Sequence, residues 1–260
     1  MTGRLKRRIA AAMLLVVSAS GCSAQSNPTT TTSITVFASS SMIKIMTAIG
    51  KQFEAENSGA SVEFIFAGSA DLAAQLADGN EADVFVSGNH DNMAAVANAG
   101  LVDGHPAPLA SNSLVIVAAP GNRGNFATFA DLARPGLRVA LCGGTGACAS
   151  ATQQIEDHTG VRLRPETVDS TPHDVLNDIT AGRVDAGLVL KTDALSAGDN
   201  VSWFDFPEAA DAVVTSWIAL MRNSDRAELA TKFINDVRAP AGRKVIADAG
   251  FADPVTSYVR

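Results

Sequence analysis

The chain has 260 residues, 47% of them hydrophobic and 18% charged, with a formal net charge of −7. That length can bury one large domain or two lobes, and the composition is that of a globular protein and not a disordered one. Beyond the extreme N-terminus no apolar run reaches about 20 residues, which excludes a polytopic membrane protein.

Arg4, Lys6, Arg7 and Arg8 precede an apolar stretch over 9–19 that is too short for a stable span, the pattern of an export signal. Ala19-Ser20-Gly21-Cys22 resembles a bacterial lipobox with Cys22 as the lipidated residue, although Ala19 stands where a large aliphatic residue is usual. The alternative is a cut secretory signal without a lipid. Residues 1–21 are read as the signal peptide and 22–33, rich in Thr, Ser, Asn and Pro, as a flexible tether. The signal holds four basic groups and no acid, so its removal leaves a net charge of −11. Nucleic acid or anionic lipid as a bulk partner would call for a basic face and is not expected.

From residue 34 short β-like runs alternate with helical ones. Ile34-Thr35-Val36-Phe37-Ala38 leads through Ser39, Ser40 and Ser41 into a helix predicted over 41–56, with Ile45, Ile49 and Phe53 at four-residue intervals. Val62 to Ala67 leads through Gly68 and Ser69 into a helix over 70–77. Each device sets serine at a helix N-terminus, beside backbone N–H groups that the helix cannot satisfy. Two such ends facing one cleft trap an anion without formal positive charge.

Further strands are read over 83–87, 113–118, 137–141, 186–190 and 217–221. Helices are read over 92–99, 129–134, 149–159, 174–181, 228–237 and 241–249. This is the α/β class with mostly parallel sheets. Two similar series imply lobe 1 over 34–112 plus 222–260 and lobe 2 over 113–221, with a cleft between them. Ligands in such folds sit beyond the carboxyl ends of strands, where Ser41 and Ser69 fall.

Cys142 and Cys148 form either a disulfide, which export and the intervening glycines permit, or two free thiols. Their spacing without paired histidines is not that of a zinc site, and no cofactor is expected. His90, His105, His158 and His173 lack metal spacing and are read as surface residues, and Trp203 and Trp217 as packing residues. An enzyme reading has some sequence content. Ser41-Met42-Ile43-Lys44, Ser87-Gly88-Asn89 and Lys191-Thr192-Asp193 follow the order of penicillin-interacting serine acyltransferases, in which the lysine helps activate the serine. Asp193 stands where that pattern has glycine, and Ser41 follows a β-run, so a binding role ranks first. A sensor or adhesion module on the same scaffold is a third option that nothing in the sequence asks for.

Several motifs in order resemble the molybdate-binding component of ABC transporters: Ile34 to Ala38 with Ser41, Phe66-Ala67-Gly68-Ser69 with Leu72 and Gln75, Ala82-Asp83-Val84-Phe85-Val86-Ser87, Asn112 to Val117, Asp185 to Val189, and Ala249-Gly250-Phe251. The likeness runs from about residue 34 to 253. It implies a two-lobed, hinged periplasmic-binding-protein fold of type II, a non-catalytic monomer, capture of molybdate or tungstate, and a permease partner at the cell membrane, reached through the lipid at Cys22. It further implies that the oxyanion is held by two serines, two backbone N–H groups and a tyrosine hydroxyl.

By that resemblance the serines are Ser41 and Ser69, with Ser40 as a helper. One backbone donor is Cys148, which some relatives pair with a cysteine like Cys142. The second falls at Pro172, which has no N–H, so that Thr171, His173 or Val175 donates instead or the contact is lost. The tyrosine maps onto Leu190, which cannot donate; the chain's one tyrosine is Tyr258. Ser39, Ser40, Ser170 or Thr171 compensates, or the site takes another oxyanion or a different solute. A donor-only pocket suits unprotonated molybdate, tungstate or sulfate, whereas hydrogen phosphate needs an acceptor. Asp71 is expected to face solvent.

Overall fold

The computed structural model describes residues 31–255 apart from 122, 123, 145 and 170. The expectations for the signal segment, Cys22, Ser170 and Tyr258 lie outside the described residues.

Two five-stranded sheets carry the chain. The first has the order β2-β1-β3-β10-β4, built from β1 (Thr32–Ser39), β2 (Ala60–Ala67), β3 (Val84–Ser87), β4 (Val102–Asn112) and β10 (Val214–Met221). The second has the order β7-β6-β8-β5-β9, from β5 (Leu114–Ala118), β6 (Val139–Cys142), β7 (Thr167–Asp169), β8 (Ala186–Leu190) and β9 (Ser202–Phe204). In each sheet the first three strands are parallel and the fourth runs antiparallel to the third. The predicted α/β class is therefore present, but the pairing is mixed and not mostly parallel: four strand pairs are parallel and four antiparallel. The parallel strands read as continuous apolar runs because helices cover both faces: every residue of β3 and β8 is buried.

The helices follow from amphipathic spacing. α1 (Ile43–Glu56) buries Ile45, Met46, Ile49 and Phe53, and Phe53 meets Phe233 of α7 (Ala227–Arg238) edge to face at 5.3 Å. A buried aromatic of this kind contributes about 1.5–3 kcal/mol. α2 (Ser69–Ala77) and α3 (His90–Asn98) cover the opposite face of the first sheet through Leu72, Leu76, Met93 and Val96. The second sheet is covered by α4 (Ala147–Thr159) and α5 (Pro172–Thr180), with α6 (Lys191–Ala197) continuing directly from β8. α8 (Pro240–Asp248) returns beside α1 and α7.

Three readings are corrected. The predicted helix from Ser41 starts instead as a 3-10 turn over Ser40–Met42 and becomes α-helical at Ile43. The long strand β4, with Pro106 and Pro108, went unread because prolines break the strand pattern; it lies at the sheet edge, where a missing N–H costs no ladder bond. The strand at Trp217 pairs in the first sheet, Trp217 against Ser87 and Pro108, so the return from the second sheet precedes Val214 instead of following Met221.

The chain thus crosses between sheets at two adjacent places, and polar bonds tie them. Ser111 and Thr215 share a buried hydroxyl contact at 3.2 Å, and the Val255 N–H donates to Ser111 Oγ at 2.8 Å. The Asn112 amide donates to Thr192 Oγ1 at 2.8 Å, fixing the end of β4 against α6. The Asn112-Ser113 motif is a crossing element held on both sides: the Ser113 N–H donates to Asn112 Oδ1 at 3.0 Å and the Ser113 carbonyl accepts the Lys191 N–H at 2.9 Å.

Candidate functional site

The carboxyl ends of the parallel strands in both sheets open onto one cleft of about 550 Å³, lined by Ser39, Ser40, Ser41, Ser69, Cys148, Pro172 and Leu190 among others. Six of the seven residues expected to bind ligand therefore meet there. The seventh, Val175, does not: its side chain is fully buried beneath β8, and a Cβ on Gly187 would lie 2.7 Å from it. Its N–H is bonded to the Thr171 carbonyl at 3.3 Å.

In the first lobe the serine hydroxyls are pre-oriented by neighbours and cap no helix. Ser39 Oγ and Ser41 Oγ lie 3.1 Å apart. Ser69 is the first residue of α2, after Gly68, and its Oγ accepts the Gly88 N–H at 2.9 Å. A hydroxyl that already accepts is left with its proton to donate. The first α-helical bond of α2 runs from the Leu72 N–H to the Gly68 carbonyl, so the N–H groups of Ser69, Ala70 and Asp71 fall in the unpaired first turn.

Gly88 is a site residue that sequence reading did not single out for binding. Its loop packs so closely that a Cβ would stand 2.8 Å from Ser39 Oγ and 3.3 Å from Ser41 Oγ. Asn89, beside it in the cleft wall, caps α3 by accepting the Asn92 N–H. Neither role has a sequence signal beyond the Gly-Asn pair after a buried strand.

In the second lobe the donors are backbone. α4 begins at Ala147 and its first helical bond is Ser150 N–H to the Gly146 carbonyl, which leaves the N–H groups of Ala147, Cys148 and Ala149 at the cleft. Cys148 is disulfide-bonded to Cys142 across a Cα separation of 5.9 Å, which ties the first turn of α4 to the end of β6. α5 begins at Pro172, whose ring fits the first helical position. Thr171 caps it, its Oγ1 accepting the Asp174 N–H at 3.2 Å. With Asp174 and Val175 committed inside the helix, the first-turn N–H at the cleft is that of His173, which is exposed as expected and also lines the wall.

Leu190 lies in the wall and is 4% exposed, with only an aliphatic side chain to offer. Asp193, three residues on, is also in the wall. Burial pushes its carboxyl up to about 6, against the opposing effect of the Leu190 N–H bonded to it. Asp71 faces the same cleft while remaining exposed. Among the described residues no lysine or arginine lines this cleft.

The residues of the acyltransferase reading do not assemble. Ser41 Oγ is partnered by Ser39, Lys44 is exposed and outside the cleft wall, and Lys191 reaches Asp205 at 3.1 Å and lies 4.7 Å over the Trp203 ring. The described residues contain no group of three or more His, Cys, Asp or Glu able to hold a metal ion.

Residues 34–252 match the family model of bacterial extracellular solute-binding proteins. The molybdate-binding protein ModA of Mycobacterium tuberculosis is 44% identical over 254 residues, 97% of each chain. Among solved structures, the periplasmic molybdate-binding protein of Azotobacter vinelandii aligns with a TM-score of 0.68 at 19% identity, over 85% of this chain and 100% of its own. The sulfate-binding protein SubI of Mycobacterium tuberculosis aligns with a TM-score of 0.71 at 22% identity, over 86% and 88%. At those identities the structural likeness speaks for the fold. The chain belongs to the bacterial extracellular solute-binding proteins, in the group that includes the molybdate-binding protein ModA.

Proposed function

We propose that this protein captures molybdate, or its near-isostere tungstate, outside the cytoplasm and presents it to an ABC-transporter permease, acting without catalysis. The observation that carries the reading is the cleft wall. Hydroxyls of Ser41 and Ser69 and the first turn of α2 face the first turns of α4 and α5, with no lysine or arginine among them. Such a wall holds a fully ionised tetrahedral anion by aligned N–H and O–H dipoles. The 44% identity to ModA over nearly the whole chain favours molybdate among oxyanions.

In this reading Ser41, Ser69 and the Cys148 N–H are direct donors, Ser40 is an auxiliary hydroxyl, and the His173 N–H takes the place that Pro172 cannot fill. Rotation about the two crossings between sheets closes the lobes on the anion, and the closed form is what the permease recognises. Lipidation at Cys22 keeps the protein at the membrane.

A thermal-shift screen of the mature chain against molybdate, tungstate, sulfate, phosphate and chromate tests this. At about 1,000-fold over Kd a ligand adds about 4 kcal/mol of apparent stability. The expected result is a large shift with molybdate and tungstate and small ones with the others. No shift with any oxyanion overturns the reading.

A further inference from the structure

We infer that Asp193 is a member of the oxyanion site and occupies it in the protonated form, donating a hydrogen bond to the dianion from the wall where Leu190 can donate none. This rests on the oxyanion reading above and deepens it, by making anion capture proton-linked.

Asp193 is the third residue of α6 and lines the same cleft as Ser41, Ser69, Cys148 and His173. One carboxyl oxygen is accounted for by the Leu190 N–H. The other has no ion-pair partner among the described residues. The charges around it are committed elsewhere or are themselves negative. On α6, Lys191 is drawn off by Asp205. Strands β5 and β8, against which α6 packs, are wholly apolar in sequence. α5 brings His173 to the cleft, and its Asp174 is bonded by the Thr171 hydroxyl. The 3-10 turn after α6 carries Asp199. The Gly250 turn touches Leu195 and Thr192, and the acids on either side, Asp248 and Asp253, pair with Lys244 and Arg243. Asp71 faces the cleft from α2 across the gap.

An ionised Asp193 would therefore stand beside a bound dianion with no cation to offset either. Like charges brought together in a drying cleft repel strongly, and the pair escapes by taking up a proton. The protonated carboxyl changes from an acceptor into a donor and becomes the same kind of group as Ser41 and Ser69. Without ligand burial pushes the carboxyl up to about 6, and the adjacent dianion has to raise it well above 8.5 for the proton to be held across the whole range tested below.

The test is isothermal titration of molybdate into the mature protein at pH 7.5, in buffers of differing ionisation enthalpy, with wild type and Asp193→Asn. Asparagine keeps the shape, an acceptor for the Leu190 N–H and a donor for the anion. The wild type is expected to take up nearly one proton per anion and to lose about tenfold in affinity per pH unit from 7 to 8.5. Asp193→Asn is expected to take up none, to bind with constant affinity over that range, and to exceed wild type at pH 8.5. Binding by the wild type without proton uptake overturns the inference. So does uptake that survives in Asp193→Asn and vanishes in His173→Gln, which would make the imidazole the carrier. Absence of heat with molybdate, tungstate and sulfate in both proteins brings down the oxyanion reading itself and the inference with it.

Discussion

In the first lobe the parallel strands run β2-β1-β3 and in the second β7-β6-β8, each set followed by an antiparallel neighbour and an edge strand. Position for position the two sheets correspond, yet their cleft ends differ in chemistry. The first presents Ser39, Ser40, Ser41 and Ser69. Among the described cleft residues of the second, Thr171 alone carries a hydroxyl, and it is occupied with both the N–H and the carboxylate of Asp174. The first lobe thus concentrates the hydroxyl donors beside the first turn of α2, whereas the second relies mainly on backbone donors framed by glycines, a disulfide and a proline. A side-chain donor can be deleted by substitution. A backbone donor can be disturbed only through whatever holds its backbone.

The largest effect should come from the first lobe. Ser41→Ala with Ser69→Ala removes two hydrogen bonds to a charged ligand, each worth about 1.5–3 kcal/mol. Together these amount to a loss of about 10²- to 10⁴-fold in molybdate affinity. Circular dichroism should stay near wild type, because neither hydroxyl caps a helix, and the ligand-free Tm should fall only modestly, since Ser69→Ala leaves the buried Gly88 N–H without its acceptor. Wild-type affinity in the double variant would remove the serines from the site and end the asymmetry between lobes.

A smaller effect is expected from the second lobe, reached through the Cys142–Cys148 bridge. The loop it closes is short, so cross-linking it contributes about 2 kcal/mol to stability. Cys142→Ser with Cys148→Ser should lower Tm and weaken anion binding by about tenfold, as the first turn of α4 loses its tether to β6. Affinity unchanged alongside a lowered Tm would mean that α4 is positioned by its own packing, and that the bridge serves stability alone.

How far the sequence discloses the site follows the same division. Ser41 and Ser69 are legible because a hydroxyl residue after an apolar strand is a recognisable local pattern, and both lie in the cleft. Val175 shows the limit: a shift of two residues along α5 turns a candidate donor into a core side chain, and only the helix register decides it. Gly88 and Asp193 owe their importance to residues distant in sequence, Ser69, Ser39 and Ser41 in one case and the opposite cleft wall in the other. α6 was not read because it continues β8 without a turn, Leu190 ending the strand and capping the helix. The position of β10 was equally hidden, since an apolar strand carries no mark of the sheet it joins.

The finest comparison concerns the opposite ends of the same strands, where each lobe places an aspartate ahead of its third strand. Asp83 accepts the Thr35 N–H at 2.7 Å and the Ser224 hydroxyl at 2.5 Å, while 6% exposed. Asp185 accepts the Arg138 N–H at 3.0 Å and pairs with the Arg138 guanidinium at 2.7 Å, with 40% of its side chain exposed. The motif is the same and the solvent is not. Asp83→Asn leaves the Ser224 hydroxyl or an amide proton poorly matched in a buried place and should cost about 1–3 kcal/mol. Asp185→Asn, discounted for screening by water, should cost about 0.5 kcal/mol or less. The side-chain bond from Arg138, first among its causes, holds the Asp185 carboxyl below its ordinary value. A lowered folded value makes its contribution present above the unfolded value near 4 and lost as the pH falls through the folded one. Urea titrations at pH 7 and pH 3 should therefore show the Asp185→Asn deficit at the higher pH only. A deficit as large as that of Asp83→Asn would mean that the exposed pair is more strongly coupled than its solvent contact allows.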